Sequence, residues 1–318
     1  EGEDPDHGAA PLAARQGELK ARQAELRGLE KRLRRHEQQK HQSEADRLGN
    51  SALLLHVVHK KYDESERMYR KALKANKEHP TNLGNFALFL QHVRHDKDRA
   101  EKYYKRAVSA NPRHANNLAN YASFLKKVRQ QYDRAEQYYN RAIEANPNHA
   151  SNVGNYAFFL YRVRKNFAKA QQFFERSLRC DNAHANNLCN YANMLKKVFE
   201  KHDEAEDLYR RACDADPGSA TILGNYANFL KKVRGDMPGA RDYYLKALKA
   251  NPKHRQVCRN YALFLRDCPE FRTGATGRHH SRRLIRFSLS RCAAGQGAAS
   301  SERWPSARGP NSCRPTKT

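Results

Sequence analysis

The sequence predicts an all-α fold: a right-handed superhelical solenoid of antiparallel helix pairs that repeats every 35 residues. Three observations carry this expectation. Asn-Tyr-Ala recurs at Asn120, Asn155, Asn190, Asn225 and Asn260, with Asn85-Phe86-Ala87 one step earlier and Asn50 extending the series. Ladders at Ala52, Ala87, Ala122, Ala157, Ala192, Ala227 and Ala262, and at Leu55, Leu90, Leu125, Leu160, Leu195, Leu230 and Leu265, run in the same register. Within each period, apolar residues fall twice at steps of three and four, the spacing of one helical face. Self-similarity at such a period marks stacked repeats, because a single helix pair cannot bury its apolar face until neighbours cover it.

The repeats are placed at 45–79, 80–114, 115–149, 150–184, 185–219 and 220–254, followed by a truncated seventh at 255–271. In the third, Leu118, Tyr121, Ala122, Leu125 and Val128 form one apolar stripe, and a basic, polar break follows at 129–131. Tyr132, Ala135, Tyr139, Ala142 and Ala145 form the second stripe, closed by Asn146-Pro147. Proline just past the last apolar residue stops a helix; Pro112, Pro217 and Pro252 share that phase, while Lys77 and Asn182 replace it elsewhere. Small residues alternate with aromatics, which lets antiparallel helices approach closely. The array is therefore expected to hold thirteen helices, six pairs and one cap.

The ends differ from the array. Residues 1–44 read as a charged helical segment in which Leu12, Leu19, Leu26 and Leu33 are seven apart. Their companion positions are Gln16, Gln23, Glu30 and Glu37, and Gly17 and Gly28 interrupt the run. A seam one residue wide makes a solvated helix capping the first repeat the better reading than a coiled coil. Residues 272–318 hold nine Arg, seven Ser and five Gly with one Glu and no periodicity, the composition of a disordered basic tail.

Composition bounds the rest. At about 150 residues per domain, 318 residues would make two ordinary domains. Only 39% are hydrophobic and 30% are charged, with a mean hydropathy of −1.00, which argues against one large core. Apolar runs such as 157–161 fall far short of the roughly 18 residues of a spanning helix, so no membrane association is expected. Seven Cys with no Cys-x-x-Cys pair speak against a disulfide framework or a zinc module and for an intracellular, cytoplasmic setting. The chain begins at Glu1 rather than Met, which leaves room for a longer parent protein.

The Leu-x-x-Tyr-Ala…Ala-x-x-x-Tyr-x-x-Ala…Pro pattern of 118–147 resembles a tetratricopeptide repeat, and the resemblance extends over 45–271. It departs from the family in period, 35 rather than the usual 34 or so, and the extra residue is expected in the turn at 127–131. The resemblance implies a protein-interaction scaffold whose first helices line a concave groove.

On that groove the candidate peptide-binding residues are Asn85, Asn120, Asn155, Asn190, Asn225 and Asn260 with Lys127, Arg162, Lys197 and Lys232. Asn costs roughly 0.6 kcal/mol against Ala inside a helix, so its persistence needs a reason. Either the amide bonds a neighbouring repeat and fixes stacking, or the row grips the main chain of an extended peptide, for which an amide offers both a donor and an acceptor. The ladder resembles those of protein O-GlcNAc transferase repeats, which hold peptide main chain. Gly49, Gly84, Ala119, Gly154 and Gly224 precede the ladder, leaving space for a ligand or for a close helix. The basic row lies seven residues beyond it and includes His92, with Lys126, Lys196 and Lys231 adjacent. Bases also suit the last turn of a helix, opposite the dipole's negative end.

A further row, His79, His114, His149, His184 and His254, reads as capping or packing at the start of the first helices, since metal ligands must converge on one point. Cys180, Cys189 and Cys213 read as buried fillers. No phosphate-loop, zinc-protease or nucleophile-elbow motif occurs, and no catalytic residue, metal or cofactor is assigned. The leading expectation is a non-catalytic scaffold binding an extended, acidic peptide segment of a protein partner. One alternative is the substrate-recruiting array of a larger enzyme such as a glycosyltransferase. The other is RNA binding through the basic surface and tail, which the net charge of +26 invites. An Asn repeated at every step cannot encode a varied base sequence.

Overall fold

The computed structural model describes residues 9–272, with the side chains of 27–271 apart from His36. The tail expected at 272–318 therefore lies, but for Arg272, outside the described residues, as do the side chains of Leu12, Leu19 and Leu26. Among the described residues all regular structure is helical. The α-helices are α1 (Ala9–Val57), α2 (Tyr62–Ala75), α3 (Pro80–His92), α4 (Lys97–Ala110), α5 (Ala115–Phe124), α6 (Tyr132–Ala145) and α7 (Ala150–Phe159). They continue with α8 (Phe167–Cys180), α9 (Ala185–Met194), α10 (His202–Ala215), α11 (Ala220–Phe229), α12 (Met237–Ala250) and α13 (Arg255–Asp267). The thirteen make six pairs and a last single helix, and a 3-10 turn at Pro269–Arg272 follows. The described residues divide into two compact units, 9–187 and 188–272.

In the first unit the helices pack as antiparallel hairpins, α1 on α2, α3 on α4, α5 on α6 and α7 on α8, and α2, α4 and α6 also touch the next first helix. Tyr104 of α4 shows how. Its ring stacks on Tyr121 at 5.8 Å and tilts against Phe124 at 5.2 Å, both on α5, and all three rings are fully buried. Tyr139 repeats this against Tyr156 and Phe159. Fully buried Ala107 and Ala142 are the small partners that permit the close approach. In the second unit Tyr209 does the same against Tyr226 and Phe229, and α13 packs on α11 and α12. Tyr261, Phe264 and Leu265 of α13 are buried.

α1 is one helix of 49 residues that runs without a break through the position where a separate N-terminal segment was expected to end. Its described forepart is solvated, with Leu29 at 49% and Leu33 at 61% exposure.

The extra residue of the period has a definite place. α5 widens into a π-helical turn at Leu125–Arg129, closed by Gln130 in the left-handed region. Turns of the same kind occur at Leu160–Arg164, Leu195–Phe199 and Leu230–Arg234. A π turn holds one more residue than an α turn, so the insertion sits in the last turn of the first helix and not only in the loop after it. The left-handed residues Lys60, His95, Gln130, Lys165, Glu200 and Gly235 keep the 35-residue spacing.

The second helices end by a device broader than proline. Asn76, Asn111, Asn146, Asp181, Asp216 and Asn251 each accept, through Oδ1, the backbone N–H two residues on, at 3.0 to 3.2 Å. Such an Asx turn reverses the chain with or without a following proline, which is why Lys77 and Asn182 are tolerated.

Candidate functional site

Two rows of asparagine run along the first helices, three residues apart. The inner row is Asn82, Asn117, Asn152 and Asn187, all buried. Asn82 Nδ2 donates to the Ala45 carbonyl at 2.8 Å, Asn117 Nδ2 to Pro80 at 3.0 Å and Asn187 Nδ2 to Ala150 at 3.0 Å. Pro80 and Ala150 start the first helices of their repeats, while Ala45 lies at the same phase within the long α1; each contributes a carbonyl to the stacking interface. The glycines ahead of the outer row make room for these amides. A Cβ on Gly49, Gly84 or Gly154 would stand 1.9, 2.1 or 2.2 Å from Oδ1 of Asn82, Asn117 or Asn187. Where Ala119 takes the glycine's place, the amide it faces by period is Asn152, whose buried Nδ2 has no hydrogen-bond partner. The inner row was not singled out from the sequence, although its 35-residue spacing over four repeats was there to read. Gly49, Gly84 and Gly154 thus serve the next repeat's stacking amide rather than an open approach, while Gly224 makes room for Val257.

The outer row is the ladder itself. Asn85, Asn120 and Asn190 are half-buried and Asn155 is exposed. No hydrogen bond is recorded on the amides of these four among the described residues, so the stacking bonds belong to the inner row. Two rungs are engaged within their own unit. Asn225 Nδ2 donates to Cys189 Sγ at 3.3 Å, and Asn260 Oδ1 accepts from Gln256 Nε2 at 2.8 Å.

The basic row is exposed at Lys127, Arg162, Lys197 and Lys232. Its rungs are close enough to feel one another. Burial first, and then Lys127, hold the His92 imidazole below its ordinary value. Beside the row, Lys126 and Lys196 are half-buried. Lys126 Nζ lies 5.3 Å from the Phe158 ring centre and 5.7 Å from that of Tyr139; Lys196 Nζ lies 5.4 Å from Tyr209 and 6.0 Å from Phe229. Desolvation, with Lys127 next, pushes Lys126 down to about 8. Desolvation, with Lys197 and Lys232, brings Lys196 to about 8 as well. Lys231, at the same phase, differs: Asp267 sits 2.8 Å from its Nζ.

Away from these rows the structure assigns plain roles. His79, His114, His149, His184 and His254 are N-caps, each accepting through Nδ1 the backbone N–H three residues on, at 3.3 to 3.4 Å. Cys189 and Cys213 are buried, as expected of fillers, whereas Cys180, at the end of α8, is half-buried. Among the described residues no cluster of His, Cys, Asp and Glu could hold a metal ion, and no helix is long and apolar enough to cross a membrane.

Helical hairpins that stack through an inner row of amides and carry a second row three residues on define a helical-repeat protein. Two stretches, 93–150 and 199–255, match the family model described as tetratricopeptide repeat, and over these the chain carries tetratricopeptide repeats. Solved structures agree in fold. One, from the functional characterization of Pseudomonas aeruginosa pilF, is 21% identical, covers 70% of this chain and 99% of its own, and superposes with a TM-score of 0.55. PilW, a widely conserved type IV pilus biogenesis factor, is 18% identical over 68% of this chain and 97% of its own, with a TM-score of 0.55. TTC0263, a thermophilic tetratricopeptide-repeat protein of Thermus thermophilus, is 18% identical over 58% of this chain and 98% of its own, with a TM-score of 0.51. No curated protein matches the sequence.

Proposed function

We propose that the chain is a non-catalytic scaffold whose first-helix face takes an extended, acidic peptide segment of a partner protein. The observation that carries this reading is the division of labour between the two asparagine rows. The inner row supplies the stacking hydrogen bonds, so the outer amides at Asn85, Asn120, Asn155 and Asn190 are spared that task. A donor-and-acceptor pair repeated at a fixed spacing suits a peptide backbone, whatever its side chains. Lys127, Arg162, Lys197 and Lys232 beside them favour a ligand of opposite charge. Residues 51–271 hold 40 basic and 23 acidic residues, so the positive field belongs to the array itself.

The test uses fluorescence anisotropy of a labelled peptide rich in Asp, Glu and Gly against the full chain. Lys127→Glu with Arg162→Glu, or Lys197→Glu with Lys232→Glu, should weaken binding and flatten its dependence on salt. Asn85→Ala, Asn120→Ala and Asn155→Ala should each cost about 0.5–1.5 kcal/mol of affinity with little salt effect. Unchanged affinity in the Asn variants, or preference for a single-stranded RNA oligonucleotide over the peptide, would overturn the reading.

A further inference from the structure

Three lysines at one phase of the repeat have different surroundings. Lys231 lies 5.7 Å from the Phe264 ring centre and is ion-paired with Asp267 at 2.8 Å. Lys126 and Lys196 keep the ring contacts and lack the carboxylate. The periodicity explains the loss. Thirty-six residues after Lys231 comes Asp267, but the same step from Lys126 reaches Arg162, and from Lys196 it reaches Lys232. Neither ammonium has a recorded hydrogen bond or ion pair among the described residues. The charged groups acting on Lys126 are Lys127; those on Lys196 are Lys197, Lys232 and Cys189. An amine half out of water, beside other cations and with no anion, is disfavoured in its charged form by more than the ring faces give back, and its remaining exposure leaves it open to reagents.

We propose that Lys126 and Lys196 are covalent acylation sites, taking acyl groups from thioester donors at near-neutral pH. The neutral amine attacks the thioester carbonyl. The N–C bond forms, the C–S bond breaks, the thiolate leaves, and the amine's surplus proton passes to it or to solvent. No oxidant or cofactor is needed. The lowered ammonium value supports this: at about 8 roughly a quarter of the amine is neutral at pH 7.5, against about one part in a thousand for an ordinary lysine. Reduced basicity lowers nucleophilicity, as it does for thiols, which leaves an advantage on the order of tenfold. If the face also takes acidic segments, as proposed above, acylation removes charge from it, but modification is measured on the free protein and stands or falls separately.

The experiment treats the full chain with acetyl-coenzyme A at pH 7.5, cleaves it at acidic residues, and follows initial rates at each lysine by mass spectrometry. The expected result is acetylation at Lys126 and Lys196 at least about tenfold faster than at exposed Lys127 and Lys232 and at ion-paired Lys231, levelling off near pH 8. Asp267→Asn should then bring Lys231 severalfold closer to the fast pair. Rates at Lys126 and Lys196 no higher than at Lys127 would overturn the proposal. So would a Lys231 rate indifferent to the loss of Asp267, because the missing carboxylate would then not be what separates the three.

Discussion

Asn117 donates its side-chain amide to the carbonyl of Pro80, 3.0 Å away in the preceding repeat, through space that Gly84 leaves by having no side chain. The bond joins two neighbouring hairpins, with its Asn117 end buried and its Pro80 end half-buried.

Asn117→Ala should therefore remove a stacking bond and cost about 0.5–1.5 kcal/mol in denaturant unfolding. Asn152→Ala should cost clearly less, because its Nδ2 already lacks a partner. Ala119→Gly separates the causes. In that background the Asn152 amide gains the room that Asn117 has, and Asn152→Ala should become as costly as Asn117→Ala. A double-mutant cycle with no coupling between positions 119 and 152 would contradict the steric account.

The repeats are also clamped at their surface. Arg129 Nε reaches Glu101 at 2.7 Å and its Nη2 reaches Asp98 at 2.6 Å, and Arg94 and Arg164 make the equivalent pairs one repeat to either side. Burial pushes the Glu101 carboxyl up, but Lys105 and Arg129 together more than offset it and hold it below its ordinary value. The unfolded chain therefore takes up this proton first. The contribution of the pair is present above pH about 4.5 and is lost as pH falls through the depressed folded-state value. Arg129→Ala should lower stability by about 1 kcal/mol near neutral pH and less in high salt, and it should shrink the loss of stability in acid.

The π turns set two glycine experiments in opposition. Gln130 holds φ 57° and Gly235 holds φ 68° at the same phase. Left-handed backbone costs an ordinary residue roughly 1–2 kcal/mol, and glycine escapes this at some expense in unfolded-chain entropy. Gln130→Gly should stabilise by about 0.5–1 kcal/mol and Gly235→Gln should destabilise by a similar amount, read from denaturation midpoints at constant slope.

Alkaline pH should first strengthen the fold and then weaken it. The folded-state Lys126 and Lys196 values are about 8, while the unfolded lysine stays near 10.4. Between them the unfolded chain binds more protons, so stability rises with pH. Above about pH 10 the tyrosines reverse the slope, since burial raises Tyr104, Tyr139 and Tyr244 in the folded chain and their ionisation favours unfolding. Lys126→Met keeps the apolar stem and should raise Tm at pH 7 by about 2–4 °C, the equivalent of ~1 kcal/mol in an array of this length, while flattening the rise above pH 8. Thermal melts at several pH values measure both.

The helix pairs were legible in the sequence because stacking needs the same apolar residue at every step, and Leu118, Tyr121 and Ala122 advertise it. A capping or packing role for the histidines followed from their place before each first helix, and the structure makes it capping. The outer asparagines were named as peptide-binding candidates against a stacking alternative, because two explanations fitted one periodic residue. The structure shows that a second row, Asn82, Asn117 and Asn187, supplies the stacking bonds. The extra residue was expected near the turn, yet the π conformation at Leu125–Arg129 depends on backbone hydrogen bonds that residue types alone do not dictate. The contrast between Lys126 and Lys231 was hidden as well, since both read simply as basic until the carboxylate of Asp267 had a position.

Because the Asn117 and Asn187 contacts are the same joint made twice, the chain can be edited in whole periods. Excising 115–149 would rejoin α4 to α7 across an identical loop phase and set Asn152 over Gly84 and Pro80, where Asn117 now sits. The shortened protein would lose one rung and exchange a mismatched joint for a matched one. Length and strength are thus separable here: a lineage that gains or drops a repeat by recombination keeps a working seam wherever glycine faces asparagine, and inherits a weak one wherever alanine has intruded.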